Sequence, residues 1–384
     1  MQQDASHIIA IVCANGLGHF RRTIGVLHAW QQLVPGLHID VVCTEQQLTL
    51  NRDWDRLVVL QAAGVGFHTG YLEGSVVWQP RADAYTPSQT GQWLDRLGSF
   101  PGLYDADMVL SDNLEHVLAL RADAVMLGSF LWPDILDHAY PAHPAVAAIV
   151  ASGRALLRRH RPPMLCVADL AMPDLDTYTR IVPLGWMGQW PRPAQQPALT
   201  STRRIALLTG ASPVSDALTQ ACLTQLLALD CEIALPPRVI DAMPDLPKDR
   251  VVAFAFTQEA FEACRWIVCR PGVGTLTDAV AAGVPVICYY ESHNLEMRFN
   301  AKRVAGLGMG IDACSDATPD TAQLATWIYD DALQAACRRH IAARPTDGLL
   351  QAAHWLQAYM TKQRSTSSIP PAAAAVVAPA PNQE

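Results

Sequence analysis

The chain has 384 residues, of which 50% are hydrophobic, and its formal net charge at pH 7 is −8. This length is sufficient for two domains with a hydrophobic core each, and the negative charge argues against a nucleic acid partner. Ten cysteines lie scattered without a C-x-x-C pair, which fits a reducing compartment. Because no membrane-spanning apolar run is present and residues 1–20 do not resemble a signal peptide, we expect a soluble cytoplasmic protein.

Short apolar runs, which predict strands, alternate with helix-like stretches along the chain. In the first half the predicted strands are 7–13, 38–43, 57–60, 107–111, 124–127 and 164–168, and the predicted helices are 23–33, 88–99, 113–121 and 144–160. In the second half the predicted strands are 204–210, 231–235, 251–255, 266–269 and 284–288, and the predicted helices are 215–229, 258–264, 275–282, 294–305 and stretches within 318–361. Such alternation is typical of parallel sheets with helices on both faces. The predicted fold class is therefore α/β, with two doubly wound, Rossmann-like domains facing a cleft.

A segment rich in proline and polar residues, 186–202, has the composition of an interdomain linker. We therefore predict an N-terminal domain over 1–190, a C-terminal domain over 203–345 and a C-terminal helix over 346–363. The last stretch, 364–384, is rich in Ser, Pro and Ala and is predicted to be a disordered tail.

The first predicted strand runs into a glycine-rich turn that carries Gly16, Gly18 and His19. It resembles a Rossmann turn, except that Arg21 stands where the third glycine of G-x-G-x-x-G is expected. Histidine exchanges protons near neutral pH, so His19 at the mouth of a strand–turn–helix unit is a candidate general base. The alternative is a histidine that only caps or packs.

A second glycine-rich turn follows strand 266–269, and its sequence is Arg270-Pro271-Gly272-Val273-Gly274-Thr275-Leu276-Thr277-Asp278. A strand that ends in such a turn and opens a helix presents backbone N–H groups and the positive end of the helix dipole. A diphosphate is the natural occupant, and Asp278 could accept a hydrogen bond from a ribose hydroxyl. The alternative is an ordinary strand–helix connection with glycines for conformational reasons.

Asp112 follows strand 107–111 and is a second candidate for catalysis. Ligands bind at the carboxyl ends of strands in doubly wound sheets, so Asp112 could orient His19 or act as the base itself. The alternative is a helix N-cap that pairs with Glu115 three residues later, as in a capping box.

Residues 254–285 resemble the donor-binding half of GT-B fold glycosyltransferases, and the pattern is closest to the N-acetylglucosaminyltransferase that completes lipid II in peptidoglycan synthesis. Gly16-Leu17-Gly18-His19 resembles the N-terminal glycine loop of that family. With Arg22, the same loop also resembles that of nucleotide-sugar hydrolases in the superfamily. The resemblance is specific over about 254–300 and weaker over 7–25.

The resemblance implies a donor site whose parts can be placed residue by residue. The diphosphate would be held by Gly272, Val273, Gly274 and Thr275, with Arg270, Gly210 and Ser212 near it. Ribose would contact Asp278, where the family usually has glutamate, and the base, most often uracil, would face Phe256 and Thr257. Glu296 stands where the family has paired glutamines for the donor sugar, and Asn300 matches an Asn-Ala pair of the family.

The function that the resemblance implies is transfer of a hexosyl or N-acetylhexosaminyl group from a nucleotide sugar, with UDP as the expected nucleotide, to an unidentified acceptor hydroxyl. The nucleotide sugar is a co-substrate, and no cofactor is expected. Neither glycine-rich turn carries an Asp-x-Asp pair, so we expect no metal and a reaction that inverts configuration. The alternatives are a nucleotide-sugar hydrolase or epimerase and a catalytically silent sensor of nucleotide sugars.

Three further groups carry weaker hypotheses. The basic residues Arg154, Arg158, Arg159, His160 and Arg161 could give a weak peripheral membrane contact, or they could simply end a helix. The aromatic residues Tyr71, Trp78, Tyr85 and Trp93 could line an acceptor pocket or pack in the core. The histidines His68, His116, His138 and His143 show no metal-ligand spacing.

Overall fold

The computed structural model describes residues 6–52, 54–75, 78–79, 81–86, 88–192, 203–210, 214–291, 293–313 and 320–367. Two parallel sheets are present, one in each half of the chain. No helix of the described residues has the length and apolarity to cross a membrane.

The N-terminal sheet has seven parallel strands in the order β3-β2-β1-β4-β5-β6-β7. The strands are β1 (His7–Val12), β2 (His38–Val42), β3 (Gly66–His68), β4 (Met108–Asp112), β5 (Val125–Leu127), β6 (Pro163–Val167) and β7 (Arg180–Leu184). The helices between them are α1 (Leu17–Leu33), α2 (Glu45–Leu50), α3 (Asp55–Ala62), α4 (Gln89–Gly98), α5 (Trp132–Ala139), α6 (Pro144–His160) and α7 (Leu175–Tyr178), with short 3₁₀ helices at Ala82–Ala84, Glu115–Ala119 and Ala168–Leu170. The central strands are apolar on both faces because helices cover both sides of the sheet.

The C-terminal sheet has six parallel strands in the order β10-β9-β8-β11-β12-β13. The strands are β8 (Arg204–Leu208), β9 (Glu232–Leu235), β10 (Val251–Ala253), β11 (Trp266–Cys269), β12 (Val286–Cys288) and β13 (Gly310–Asp312). The helices are α8 (Val214–Leu227), α9 (Pro237–Ala242), α10 (Gln258–Glu262), α11 (Val273–Ala281), α12 (Leu295–Gly306), α13 (Thr321–Tyr329), α14 (Asp331–Ala342) and α15 (Gly348–Ser367).

Strand order reverses between β1 and β4 in the first sheet and between β8 and β11 in the second. A crevice forms at such a switch point, beyond the carboxyl ends of the strands, because the helices on either side of it cover opposite faces. The two glycine-rich turns follow β1 and β11, and Asp112 ends β4. The fold thus places all three predicted features at switch points.

The chain crosses between the two domains twice, and the two crossings lie side by side. Gly185 N–H donates to the side chain of Gln351 over 2.8 Å, and Trp186 N–H donates to the Pro345 carbonyl over 2.8 Å. Helix α15 then packs on α1 of the N-terminal domain, where Trp30 Nε1 donates to Gln357 Oε1 over 2.9 Å. The helix ends at Ser367, beyond the predicted end at 363, and residues 368–384 of the predicted tail lie outside the described part of the chain.

The prediction of a strand at 57–60 was wrong, since these residues belong to α3. Leu57 and Leu60 are buried whereas Val58 and Val59 are each 48% exposed. Burial three residues apart is the pattern of a helix face, and four consecutive apolar residues do not distinguish helix from strand. The predicted helix at 113–121 is a short 3₁₀ helix, Glu115–Ala119, and the elements β3, β7, β13, α2, α5, α7 and α9 were not predicted.

Part of the predicted linker is packed. Trp186 and Met187 are buried in the core, and a side chain at Gly188 would meet the Ala281 methyl group of α11. Residues 193–202 lie outside the described residues. The packed part therefore works as a fitted connection between the domains.

Gly348 offers a test of the paired crossings. By helix propensity alone, Gly348→Ala should stabilise α15 by up to about 1 kcal/mol. A Cβ atom at this position would, however, lie 2.2 Å from the carbonyl oxygen of Gly185, so the backbone must shift. We expect Gly348→Ala to lower the free energy of unfolding by about 1–3 kcal/mol, measured by urea unfolding. Gly36→Ala is the matched control, because a Cβ atom there has nothing within 4 Å; equal effects of the two changes would contradict the steric argument.

Candidate active site

The turn after β1 is held in place by one side chain. Gly16, the N-cap of α1, has a φ of 84°, a left-handed conformation that glycine adopts without strain. Gln47 Nε2 donates to the carbonyl oxygens of Cys13, over 2.8 Å, and of Gly16, over 3.0 Å. Helix α1 begins at Leu17, so Gly18 and His19 lie in its first turn and not in a loop before it.

His19 and Asp112 are brought together by the register of the sheet. Asp112 lies beside Val12, the last residue of β1, so its side chain faces the start of α1. His19 Nδ1 lies 2.5 Å from Asp112 Oδ1. Because a carboxylate only accepts, the imidazole donates through Nδ1–H, which leaves Nε2 as the basic nitrogen.

Asp112 is fully buried and has three partners on α1. Besides His19, Arg22 donates to it through Nη2, over 2.7 Å, and through Nε, over 3.2 Å. Thr23 Oγ1 donates to Oδ2 over 2.8 Å. Burial raises the pKa of Asp112, but the charges of Arg22 and His19 outweigh it and hold that pKa below its ordinary value.

These contacts exclude the alternative of a capping box at Asp112. The 3₁₀ helix that begins at Glu115 follows Leu114, and it receives no side-chain cap. Arg22 and Thr23 were not predicted as partners of Asp112. The available signal was spacing, since Arg22 lies three residues after His19 and therefore on the same face of α1.

The second glycine-rich turn begins α11 with Gly272 as N-cap. Gly272 has a φ of −69°, so its conformation does not require glycine. A Cβ atom at Gly272 would lie 3.9 Å from Met297 Cε, which leaves open space above the turn. The N–H groups of the first turn of a helix have no partner within the helix, so this open space faces backbone donors.

Other residues at this turn that were predicted to bind the nucleotide-sugar donor support the backbone of the turn. The Val273 side chain is buried in the core. Asn300 Nδ2 donates to the Pro271 carbonyl over 2.9 Å, so this amide positions the turn. Arg270 Nε donates to Glu291 Oε2 over 2.8 Å, and Thr275 is half-buried.

The two glycine-rich turns meet across the domain boundary. A Cβ atom at Gly274, in the first turn of α11, would lie 3.4 Å from Gly18 Cα, in the first turn of α1. Each helix carries about half a positive charge at its N-terminus. Two such ends at one place favour negative charge beside them.

Asp278 lies deeper, at the contact between domains. It is buried, and the backbone N–H of Gln189 donates to Oδ1 over 3.3 Å. Burial raises the pKa of Asp278 to about 6, against the opposing effects of Arg21, the Gln189 N–H and Arg56. In this conformation the carboxyl group therefore accepts a hydrogen bond from the segment that connects the two domains.

Glu296 enters the site from the first turn of α12. Burial raises its pKa, against the opposing charges of His19, Arg270 and Arg22. A carboxyl group from the C-terminal domain thus faces the His19–Asp112 pair of the N-terminal domain. It is the one predicted sugar-contact residue that lies near the candidate base.

The remaining residues predicted to bind the nucleotide-sugar donor follow the strands of the second sheet. Phe256, after β10, has a φ of 52° and is 36% exposed, and a left-handed conformation is unusual for a bulky residue. Thr257 caps α10 by accepting from Ala260 N–H over 3.3 Å. Gly210, after β8, has a φ of 93°, and Ser212 lies outside the described residues.

The aromatic and basic groups separate into distinct roles. Tyr85 and Trp93 are buried in the core, and Tyr71 contacts Phe100. Trp78 stacks between Tyr140 of the N-terminal domain, at 5.7 Å, and His293 of the C-terminal domain, at 6.0 Å. It therefore lies at the rim of the cleft.

The basic cluster ends α6, as the structural alternative predicted. Arg158, Arg159 and His160 lie in the last turn, and the Arg158 guanidinium lies 5.5 Å from the centroid of the Tyr178 ring. Arg154 bonds to Asp134 and Asp137 at 3.0 Å each. Such positions stabilise the helix end.

No protein-family model matches the chain, and no curated protein matches it in sequence. Solved structures do match it. The glycosyltransferase of kitacinnamycin has a TM-score of 0.64 at 17% identity, over 93% of this chain and 99% of that chain. The spinosyn rhamnosyltransferase SpnG has a TM-score of 0.62 at 19% identity, over 92% and 99%. SnogD from Streptomyces nogalater has a TM-score of 0.56 at 19% identity, over 93% and 100%.

Likeness at these identities shows the fold. The predicted class, two Rossmann-like domains in the GT-B arrangement, is confirmed. The closer resemblance to the lipid-II-forming enzyme stays a prediction.

Asp278 gives a prediction with a defined pH dependence. In the unfolded chain its pKa is near 4, and in the fold burial raises that pKa to about 6. The fold therefore favours the neutral form, so this stabilisation is complete below about pH 4 and is lost as the pH rises through about 6. We expect Asp278→Asn, which carries no charge, to raise the free energy of unfolding at pH 8 by roughly 2–3 kcal/mol and to leave it unchanged at pH 4.

Urea unfolding at both pH values measures this effect. The exposed Asp245 is the control, and Asp245→Asn should change stability by less than about 0.5 kcal/mol. If Asp278→Asn instead lost stability at pH 8, the buried charge would be a net stabilising partner of Arg21 and Arg56, and the argument would be wrong.

Proposed function

We propose that the protein is a glycosyltransferase that moves a sugar from a nucleoside diphosphate to an acceptor hydroxyl, without a metal ion and with inversion of configuration. One observation carries the proposal: the His19–Asp112 pair, with its 2.5 Å hydrogen bond, lies beside the point where the first turns of α1 and α11 meet. A base and an anion site thus flank one position, which is what displacement of a diphosphate by a hydroxyl requires.

The base step follows from the tautomer of His19. Nε2 takes the proton of the acceptor hydroxyl while the oxygen attacks the anomeric carbon of the donor. Asp112 holds Nδ1–H and stabilises the imidazolium that forms, as a buried carboxylate does in other base–orienter pairs. The charge of Arg22 keeps the pKa of Asp112 low, and the hydrogen bonds from Arg22 and Thr23 fix its orientation.

The leaving group departs toward the helix ends. As the bond between the anomeric carbon and the phosphate oxygen breaks, the diphosphate gains negative charge. The N–H groups of Val273, Gly274 and Thr275 and the positive ends of the two helices stabilise that charge. Fixed dipoles can thus serve in place of a cation.

The nucleoside would lie along the carboxyl edge of the second sheet. Phe256 offers an exposed ring next to Thr257, at the end of β10, where a base can stack on it. The sequence favours uracil. Because SpnG has been solved with thymidine diphosphate, thymine is the second base to test. Glu296 is proposed to contact the donor sugar, since it faces His19.

The acceptor would enter from the N-terminal side of the cleft, where Trp78 and Tyr140 form an aromatic rim. SpnG has also been solved with the spinosyn aglycone, so an aglycone with a free hydroxyl is the proposed class. A hydrolase would use the same base on water. Release of the nucleoside diphosphate in the absence of an acceptor distinguishes the hydrolase from the transferase.

The first experiment is calorimetry with UDP, TDP, GDP and CDP, followed by assays of nucleoside diphosphate release from the corresponding sugars. We expect UDP or TDP to bind, with release that is negligible alone and rises when hydroxylated aglycones are added. NMR of the product should show the inverted anomer. Rapid release without an acceptor would favour the hydrolase, and no binding to any nucleotide would overturn both.

His19→Ala tests the base directly. We expect turnover to fall by about 10²–10⁴-fold, because the imidazole nitrogen that takes the hydroxyl proton is then missing. Nucleotide affinity, measured by calorimetry, should change by less than about twofold, because the proposed role of His19 is toward the acceptor hydroxyl and not toward the diphosphate. His354→Ala, on the exposed side of α15, is the control. Unchanged turnover in His19→Ala would remove His19 from the mechanism.

Gly272→Val tests the anion site. A Cβ atom at Gly272 would lie 3.9 Å from its nearest neighbour, Met297 Cε, and the φ of −69° suits valine. We expect thermal stability to change little and nucleotide affinity to fall at least tenfold, because the backbone could no longer approach the phosphates. Full affinity in this variant would show that the diphosphate binds elsewhere.

A further inference from the structure

Three histidines and one aspartate gather on one face of the N-terminal sheet, at its β1-β2-β3 edge. The register pairs His7 with His38 and Asp40 with Gly66. Side chains alternate between faces along a strand, so His7, His38, Asp40 and His68 all project from the same face. Gly66, between the last two, has no side chain.

The three imidazole rings converge on the carboxylate of Asp40. His7 Nε2 lies 2.8 Å from Oδ2, and His38 Nε2 lies 3.9 Å from the same oxygen. His68 Nε2 lies 2.7 Å from Oδ1. The rings of His7 and His38 are stacked with their centroids 4.5 Å apart.

Glycines on two elements make room for this cluster. A Cβ atom at Gly66 would lie 2.3 Å from Asp40 Oδ1 and 2.8 Å from His68 Nε2. A Cβ atom at Gly102, in the turn that covers this face, would lie 3.0 Å from His7 Cε1. Phe100, in the same turn, contacts the His68 ring at 4.9 Å. The cluster is therefore fitted into the fold and partly shielded from water.

We propose that His7, His38 and Asp40 bind a divalent transition-metal ion of the zinc class, with His68 as the residue that orients Asp40. The candidate ligand atoms of the three residues all lie within 4.8 Å of one another. Ligands about 2.0–2.1 Å from a tetrahedral ion are roughly 3.3 Å apart, and the separations of 2.8 and 3.9 Å bracket that value. Imidazole and carboxylate together are the donors that zinc accepts.

His68 uses the second oxygen of Asp40. Hydrogen bonds of this kind orient a ligating carboxylate and raise the affinity for the metal. The positions of these residues along the sequence, with ligands at His7, His38 and Asp40 and an orienting residue at His68, match no compact metal-binding motif. The cluster forms only because three neighbouring strands bring these residues to one place.

The site is structural and does not take part in transfer. His7 and His38 begin β1 and β2, whereas His19 lies beyond the other end of β1. A strand of six residues spans roughly 20 Å. A bound ion would join the three strands at this edge of the sheet, and its presence or loss is independent of the proposed function.

The test uses the full chain without an affinity tag, treated with a chelator and then titrated with Zn²⁺ against a chromophoric competitor. We expect one equivalent to bind and the Tm to rise with Zn²⁺ concentration, because the ion binds the folded state. Co²⁺ in place of Zn²⁺ should give the intense visible absorption of a tetrahedral centre. Nucleotide affinity should be the same with and without the metal.

Two ligand variants and a matched control complete the test. The His38 side chain is 56% exposed, so His38→Gln should fold normally, and we expect it and His7→Gln to bind Zn²⁺ at least tenfold more weakly. His68→Gln should lose about tenfold, and His354→Gln, on α15, should lose nothing. Absence of a saturable equivalent, or native affinity in both His38→Gln and His7→Gln, would overturn the proposal.

Discussion

The meeting of two helix N-termini is the constraint on which the rest of the site depends. The first turns of α1 and α11 are in contact at Gly18 and Gly274, where a Cβ atom on Gly274 would lie 3.4 Å from Gly18 Cα. Two positive dipole ends at one place repel each other unless negative charge lies nearby. Asp112, whose pKa is held below its ordinary value, supplies such charge within the fold, and an anionic ligand would supply more. The domain contact and the proposed diphosphate site are therefore one feature of the structure.

Helix α1 shows how this balance is reached. Its first turn has no acidic residue to complement the helix dipole, and Arg21 and Arg22 follow in the second turn. Each cation is matched by a carboxylate from another element. Arg22 bonds to Asp112 of β4, whereas Arg21 lies near Asp278 of α11 and over the Trp54 ring at 4.9 Å. The carboxylates near these two arginines thus come from other elements and not from α1 itself.

Sequence patterns predict the parts of this fold that local chemistry decides. The apolar runs of β1, β4 and β11 are buried on both faces, and the two glycine turns follow strands, so their places could be read directly. The helix at residues 57–60 could not be recognised from the sequence, because a short apolar run is compatible with both helix and strand. The edge strands β3 and β13 have only three half-buried residues each, which leaves no apolar signal. The Arg22 and Thr23 bonds to Asp112 depend on sheet register across about 90 residues, and the histidine cluster depends on three strands together.

The carboxyl and amino ends of the strands in the N-terminal sheet carry different polar groups for a physical reason. At the carboxyl ends of β1 and β4 the strand order reverses, so a crevice opens and polar groups can face a ligand. At the opposite ends of β1 and β2 the polar side chains of His7, His38 and Asp40 are partners of one another. Asp40 has three imidazoles as partners, whereas Asp112 has Arg22, Thr23 and His19. Asp112 has a partner, His19, beside the point where the two helix N-termini meet, and this difference in surroundings underlies the separate roles proposed for the two carboxylates.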